Sequence, residues 1–161
     1  MEKNKHVSPP RGLARLAWRA PIWLYRLGLG WLLGKRFILI NHVGRKTGKL
    51  RQAVVEVVRY EPDTDTYIVV SGFGGNSDWY QNLMAHPQVW VQVGLKRKWV
   101  CAERLPQSRA AEVLLEYNHQ HPVLLRTLAR VLGYPTDGSE ADVRFFASQL
   151  PMVALVPDKQ G

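Results

Sequence analysis

Between Phe37 and Arg104 the chain passes through short β-type stretches joined mostly by a handful of residues, and this spacing limits the fold more than any other feature. Phe37-Ile38-Leu39-Ile40, Ala53 to Tyr60 and Tyr67 to Ser71 read as strands, with turns at Gly44 to Lys49 and at Pro62-Asp63-Thr64-Asp65. Gln88 to Gly94 and Lys98 to Arg104 form a hairpin across Leu95-Lys96-Arg97, and Pro151 to Val156 supplies a last strand. Parallel neighbours need a crossover of a dozen or more residues. Most of these connections are shorter, so the strands pair antiparallel. A helix beginning near Asn76 to Asp78 stops at His86-Pro87, and a longer one capped by Ser108 runs to about Gln120. It restarts after Pro122 and ends at Gly133. Ser139 and Asp142 have capping-box spacing and open a further helix to Gln149. The expected class is α+β: a small barrel of five to six mostly antiparallel strands with peripheral helices.

The first 34 residues have a different texture. Arg11 to Gly34 reads as helix, interrupted near Pro21, with Arg11, Arg15, Arg19 and Arg26 along one arc. Leu13, Leu16, Trp23, Leu24, Leu27 and Trp31 crowd the other side. Arg26 breaks the apolar run well short of a membrane span. Two readings stand: a surface helix packing its Leu/Trp face on the domain, or an interfacial helix lying on an anionic membrane surface. The organisation is therefore a basic amphipathic segment over 1–34 and a barrel domain over 35–161.

The 161 residues carry 22 Lys and Arg against 13 Asp and Glu, a net charge of +9 that draws phosphorylated molecules, anionic lipid or polyanions. The cations gather at one turn and one helix, which argues against nucleic acid as a partner. A single cysteine, Cys101, excludes an intramolecular disulfide framework and a Cys-cluster zinc site. With no cleavable signal pattern, the expected location is the cytoplasm, peripheral on the inner membrane face if the helix meets lipid.

Two turns carry the chemistry. Arg45, Lys46, Lys49 and Arg51 place four cations in seven residues, with Thr47 as a hydroxyl and Gly44 and Gly48 exposing backbone amides. Such a turn suits a phosphate, although charge alone also describes a solvated hairpin tip. It is not a Walker A loop, because a strand follows where a helix is required. The second turn, Gly72-Phe73-Gly74-Gly75-Asn76-Ser77-Asp78-Trp79-Tyr80, lets a flat ligand approach the backbone ahead of a helix N-terminus. It fails as a dinucleotide fingerprint, since Ser77 stands where a third glycine belongs. His6, His42, His86, His119 and His121 are scattered, no Gly-x-Ser-x-Gly elbow occurs, and no metal site is expected. An anion turn with aromatic surface and no acid–base pair fits a redox cofactor.

The order of these motifs is distinctive. Gly44-Arg45-Lys46-Thr47-Gly48-Lys49-x-Arg51 precedes Gly74, then Asp78-Trp79-Tyr80-x-Asn82-Leu83-x-Ala85-x-Pro87, then Leu150-Pro151 before a closing strand and Pro157. From about Leu27 to Pro157 the chain resembles the deazaflavin-dependent nitroreductase family, a branch of the split β-barrel, FMN-binding-like folds.

The resemblance implies an oxidoreductase that uses reduced 8-hydroxy-5-deazaflavin (coenzyme F-420) to pass hydride to a flat apolar acceptor: a quinone, enone or nitro compound. By position, Arg45, Lys46, Thr47, Lys49 and Arg51 would hold the cofactor's phosphate and acidic tail. Gly74, Gly75, Asn76, Trp79 and Asn82 would lie near its ring system. Trp23, Tyr25 and Trp31 are candidates for the acceptor pocket, and Tyr80 or Tyr134 for the proton source. Val54 stands where the family usually has proline, and Val143-Arg144-Phe145-Phe146 replaces a tyrosine-bearing stretch of the nitroimidazole-reducing members. FMN in the same groove is the alternative cofactor, and a non-catalytic cofactor- or lipid-binding protein the alternative role. A monomer or homodimer is expected.

Overall fold

The structure, a computed structural model, describes residues 21–159. Its six strands are β1 (Phe37–Val43), β2 (Leu50–Glu61), β3 (Thr66–Val70), β4 (Gln88–Val93), β5 (Lys96–Arg104) and β6 (Met152–Pro157). They close into a barrel in the order β1-β2-β3-β6-β5-β4, and every neighbouring pair is antiparallel, including β4 against β1. The expected α+β barrel is the fold observed.

The period of two along each strand sorts side chains into two cores. Ile38 and Ile40 of β1, Tyr67 and Val69 of β3, Val89 and Val91 of β4, and Val153 and Leu155 of β6 fill the barrel. On the outer face, Ile68, Val70 and Met152 pack beneath three helices: α3 (Gln107–Gln120), α4 (Pro122–Val131) and α5 (Glu140–Gln149). Strand β3 is therefore buried on both sides along its whole length. Each large side chain sealed here, such as Leu125 or Phe146, contributes about 1.5–3 kcal/mol of transfer free energy.

Helix α2 (Asp78–Ala85) plugs one end of the barrel, its Tyr80 and Leu83 entering the inner core. The opposite side of the same helix is thereby committed to the barrel mouth. This is what builds the cleft described below.

Several local expectations are corrected. The β4–β5 hairpin is a tighter, two-residue turn: Val93 pairs with Lys96, and Gly94 takes φ +57. Ser108 does not cap α3, whose N-cap is Pro106 without a side-chain bond. Ser139 does cap α5, its Oγ accepting from Asp142 N–H at 3.3 Å. Asp142 turns its carboxylate to Asp137 N–H at 3.1 Å, so the reciprocal half of a capping box is absent.

Arg11, Arg15 and Arg19 lie outside the described residues. Within them, helix α1 covers residues 21–26 and stops there. Leu29 N–H donates to Leu24 O at 2.8 Å and Gly28 N–H to Tyr25 O at 3.1 Å, with Gly28 at φ +74. That is a Schellman stop, and the helix expected through Gly34 gives way to a 3₁₀ turn, Gly30–Leu33. No helix among the described residues is long and apolar enough to cross a membrane.

Candidate functional site

A cleft of about 570 Å³ opens at the barrel mouth between α1, the β1–β2 turn and the start of α2. The turn is self-supporting. Gly44 N–H donates to Lys49 O at 2.9 Å, Gly48 N–H returns to Gly44 O at 2.8 Å, and Lys49 N–H reaches Thr47 Oγ1 at 3.3 Å. A Cβ on Gly44 would sit 2.6 Å from Thr47 Oγ1 and 3.3 Å from Arg51 Nε, so glycine is what lets both side chains fold across the turn.

Arg45 ties the turn to α2. Its backbone N–H donates to Asn82 Oδ1 at 3.0 Å, and its Nη1 donates to the same oxygen at 2.9 Å and to Asp78 Oδ1 at 3.2 Å. With both lone-pair directions of Oδ1 taken by donors, the Asn82 amide has one orientation left. Its Nδ2–H donates to His42 Nδ1 at 3.0 Å. His42 shares the strand parity of Ile38 and Ile40, is buried, and lines the cleft. Its imidazole is pushed down from 6.5 to about 4, first by burial and then by the Arg51 guanidinium, with Asp78 opposing. The ring is neutral at physiological pH.

The remaining cations are free to meet a ligand. Lys46, Lys49 and Arg51 have no ion-pair partner among the described residues, whereas Arg45 is spent on Asp78. Lys46, Thr47 and Arg51 line the cleft, and Lys49 is an exposed residue of the same turn, outside the lining. Trp23, Phe73 and Trp79 supply the apolar lining. Trp23 is about half exposed (53%), with the Arg26 guanidinium over its ring at 5.1 Å. Arg26 Nε also donates to Gln52 Oε1 at 2.9 Å, which fastens α1 to β2.

Not every residue singled out by sequence gathers here. Gly74, Gly75 and Asn76 form a 3₁₀ turn away from the lining, braced by Ser71 Oγ donating to Gly74 O at 2.7 Å and Gln81 Nε2 to Gly75 O at 2.9 Å. Phe73 and Ser77 face the cleft in their place. Tyr25 is buried and donates to Phe37 O at 2.9 Å, so it anchors α1 to β1 and does not line this cleft. Trp31 falls in the Gly30–Leu33 turn, and its side chain lies outside what the structure describes. Tyr80 belongs to the barrel core, and Tyr134 stacks on Phe146 at 5.8 Å beneath the helices. Sequence reasoning passed over His42. Its parity with Ile38 and Ile40, directly ahead of the basic turn, was the available signal. Among the described residues no group of three or more His, Cys, Asp or Glu could hold a metal.

Comparison with known proteins adds three findings. A family model described as F420H(2)-dependent quinone reductase matches residues 24–127. A curated F420H(2)-dependent quinone reductase of Mycobacterium tuberculosis (strain H37Rv) is 36% identical over 69 residues, 41% of this chain and 44% of the relative, so the match spans under half of that relative's length. A second, putative enzyme of that description from the same strain is 35% identical over 80 residues, 48% of this chain and 65% of the relative. Among solved structures, a conserved hypothetical protein of M. tuberculosis aligns with TM-score 0.52 at 12% identity, covering 99% of this chain and 87% of that one. A protein of unknown function from Agrobacterium tumefaciens aligns with TM-score 0.54 at 13% identity, covering 94% and 58%. These two likenesses concern the fold.

Proposed function

Because the chain belongs to the F420H(2)-dependent quinone reductase family, we propose that it passes hydride from reduced 8-hydroxy-5-deazaflavin coenzyme to a flat, apolar quinone. The observation that carries this reading is the pairing, in one cleft, of unpartnered cations with tryptophan surface. Lys46, Lys49 and Arg51 fit a phosphate and an acidic tail, since charge-assisted contacts offset the desolvation of both partners. Trp23, Phe73 and Trp79 fit an apolar ring system, and a volume of about 570 Å³ lies within the usual range for a cofactor site. The donor set suits the group.

When bound, the deazaflavin supplies the hydride. This chain's residues do the rest. Lys46, Lys49 and Arg51 would hold the cofactor's tail, and Arg45 fastens their turn to Asn82 and Asp78 of α2. Trp23 and Trp79 flank the acceptor and exclude water, which favours a productive stacked geometry. Neither Tyr80, in the barrel core, nor Tyr134, half-buried against Phe146, lines the cleft, so on this reading the proton for the quinone oxygen comes from solvent at the cleft mouth.

Ile22, Trp23 and Arg26 form one wall of this cleft, and we assign the basic segment over 1–34 contact with an anionic membrane surface from which a quinone would enter. Exposed Trp23, Leu27 and Leu32 beside Arg26 support that placement. Sedimentation with phosphatidylglycerol vesicles, and not with phosphatidylcholine vesicles, is the expected result at low salt.

The functional test is anaerobic mixing of the protein with reduced deazaflavin and a menaquinone-like quinone. Cofactor oxidation that depends on both protein and quinone supports the reading. A protein that binds FMN and ignores deazaflavin, seen directly by absorbance, would replace it with the flavin alternative.

A further inference from the structure

The cleft contains a buried imidazole that tail binding and water exclusion leave without a task. Resting on the functional reading above, we propose that His42 is a ligand-contacting hydrogen-bond donor, its Nε2–H directed at a carbonyl oxygen of the flat ring system that binds in the cleft. Three observations carry it. First, the Arg45–Asn82–His42 chain dictates the tautomer. Asn82 Oδ1 is held by two Arg45 donors at 3.0 and 2.9 Å, so Nδ2–H must donate to His42 Nδ1 at 3.0 Å. A ring nitrogen that accepts carries no proton, which leaves the proton on Nε2.

Second, Nε2 has no hydrogen-bond partner among the described residues, yet it is not sealed. The only buried side-chain nitrogen or oxygen without a partner among them is Asn118 Oδ1. His42 is 3% exposed and lines the cleft, so what accessibility Nε2 has is toward the cleft. A preset donor at the bottom of a cleft is costly to leave unmatched, and a ligand acceptor atom matches it.

Third, the surroundings select a carbonyl over a phosphate. Arg51 on β2 faces His42 across the ladder, Arg45 lies on the adjoining turn, and Asp78 on α2 is already paired with Arg45. A phosphate against the ring would draw a second proton onto it, and an imidazolium has no lone pair for Asn82 Nδ2–H. A neutral carbonyl oxygen keeps the chain of donors intact. The carbonyl belongs either to the deazaflavin ring or to the quinone.

Two-bond proton–nitrogen correlation spectra of histidine-labelled protein test this. The free protein is expected to show His42 with Nδ1 as acceptor and Nε2 protonated from pH 8 to pH 5.5. An imidazolium or an Nδ1–H form in that range overturns the proposal whether or not deazaflavin is the cofactor. Oxidised deazaflavin alone, then the quinone with deazaflavin present, are added in separate arms. A shift of the Nε2 resonance in the first arm assigns the carbonyl to the cofactor, and a shift only in the second assigns it to the quinone. Ligands that bind without moving Nε2 in either arm overturn it. His42→Asn keeps an acceptor near Nδ1 and loses the Nε2 donor, so it should bind the responding ligand at least tenfold more weakly. His42→Gln, which restores a donor near Nε2, should recover part of that loss. Equal affinity of both variants and wild type is the contrary result. Wild type that binds neither ligand would sink the functional reading, and the free-protein spectrum would still decide the state of His42.

Discussion

His42 on β1 stands directly opposite Arg51 on β2 in the antiparallel ladder, which sets a buried imidazole beside a guanidinium that has no carboxylate partner among the described residues. Burial and this neighbour act in the same direction, against protonation of the ring.

That arrangement gives stability a defined pH dependence. The folded-state value, about 4, lies below the ordinary 6.5, so the unfolded chain binds the proton first as pH falls. The stabilising contribution is complete above pH 6.5 and is lost between there and about pH 4. The full loss is roughly 3 kcal/mol. Urea midpoints of wild type and His42→Asn at pH 7, 5.5 and 4.5 should converge as the pH drops. A constant gap between them would mean that His42 is not held neutral.

Arg51→Ala should do two things at once. Deazaflavin affinity should fall by about 1.5–3 kcal/mol, the usual worth of a charge-assisted contact, and the difference should shrink in high salt. The His42 titration should also move upward, because the guanidinium that opposes its protonation has gone. Adding Lys49→Ala should deepen the binding loss without a further change in His42. Isothermal titration and histidine NMR on the same samples separate the effects.

Asn82→Leu should cost about 2–4 kcal/mol in urea unfolding. It strands the Arg45 N–H and His42 Nδ1, two groups that among the described residues only this amide satisfies. A loss below 1 kcal/mol would show that water takes over both bonds readily.

Gly44→Ala should weaken ligand binding because the new methyl would lie 2.6 Å from Thr47 Oγ1. Thr47→Ala removes that oxygen, so the double variant should bind better than Gly44→Ala alone. A double variant no better than the single one would place the strain at Arg51 Nε instead.

Tyr80→Phe and Tyr134→Phe should leave quinone turnover nearly unchanged, since neither tyrosine lines the cleft. A nitroimidazole should be reduced more slowly than a quinone. The resemblance implies that its reduction leans on tyrosines; loss of a placed proton donor commonly costs ~10²–10⁴-fold, and Val143 to Phe146 carry no tyrosine. Stopped-flow oxidation of the bound cofactor by each acceptor checks both statements.

The antiparallel barrel was legible before any coordinates, because hydrophobic alternation and turn residues act over a few positions. Ile38, Ile40, Val89 and Val91 could be assigned to one inner face from their period alone. The cation-rich turn was equally plain, and its glycines sit where the backbone needs them: Gly48 at φ +66, and Gly44 under Thr47 and Arg51. The point where α1 ends was not legible. Its apolar stripe continues past Arg26, and the stop depends on Gly28 adopting a left-handed conformation that the pattern does not enforce.

Local sequence therefore determined most of the elements, their pairing sense and the position of the cation-rich turn, because these depend on contacts within a few residues. Tertiary structure alone decided which side chains meet. His42 and Asn82 are 40 positions apart, and Arg45 reaches Asn82 across 37. Such contacts exist only once the barrel closes and α2 plugs its end. The same closure sent Tyr80 inward and left Asn82 at the mouth: two residues apart on a helix, their side chains point about 200° apart around its axis, and the packing of Leu83 fixes which of them faces the cleft.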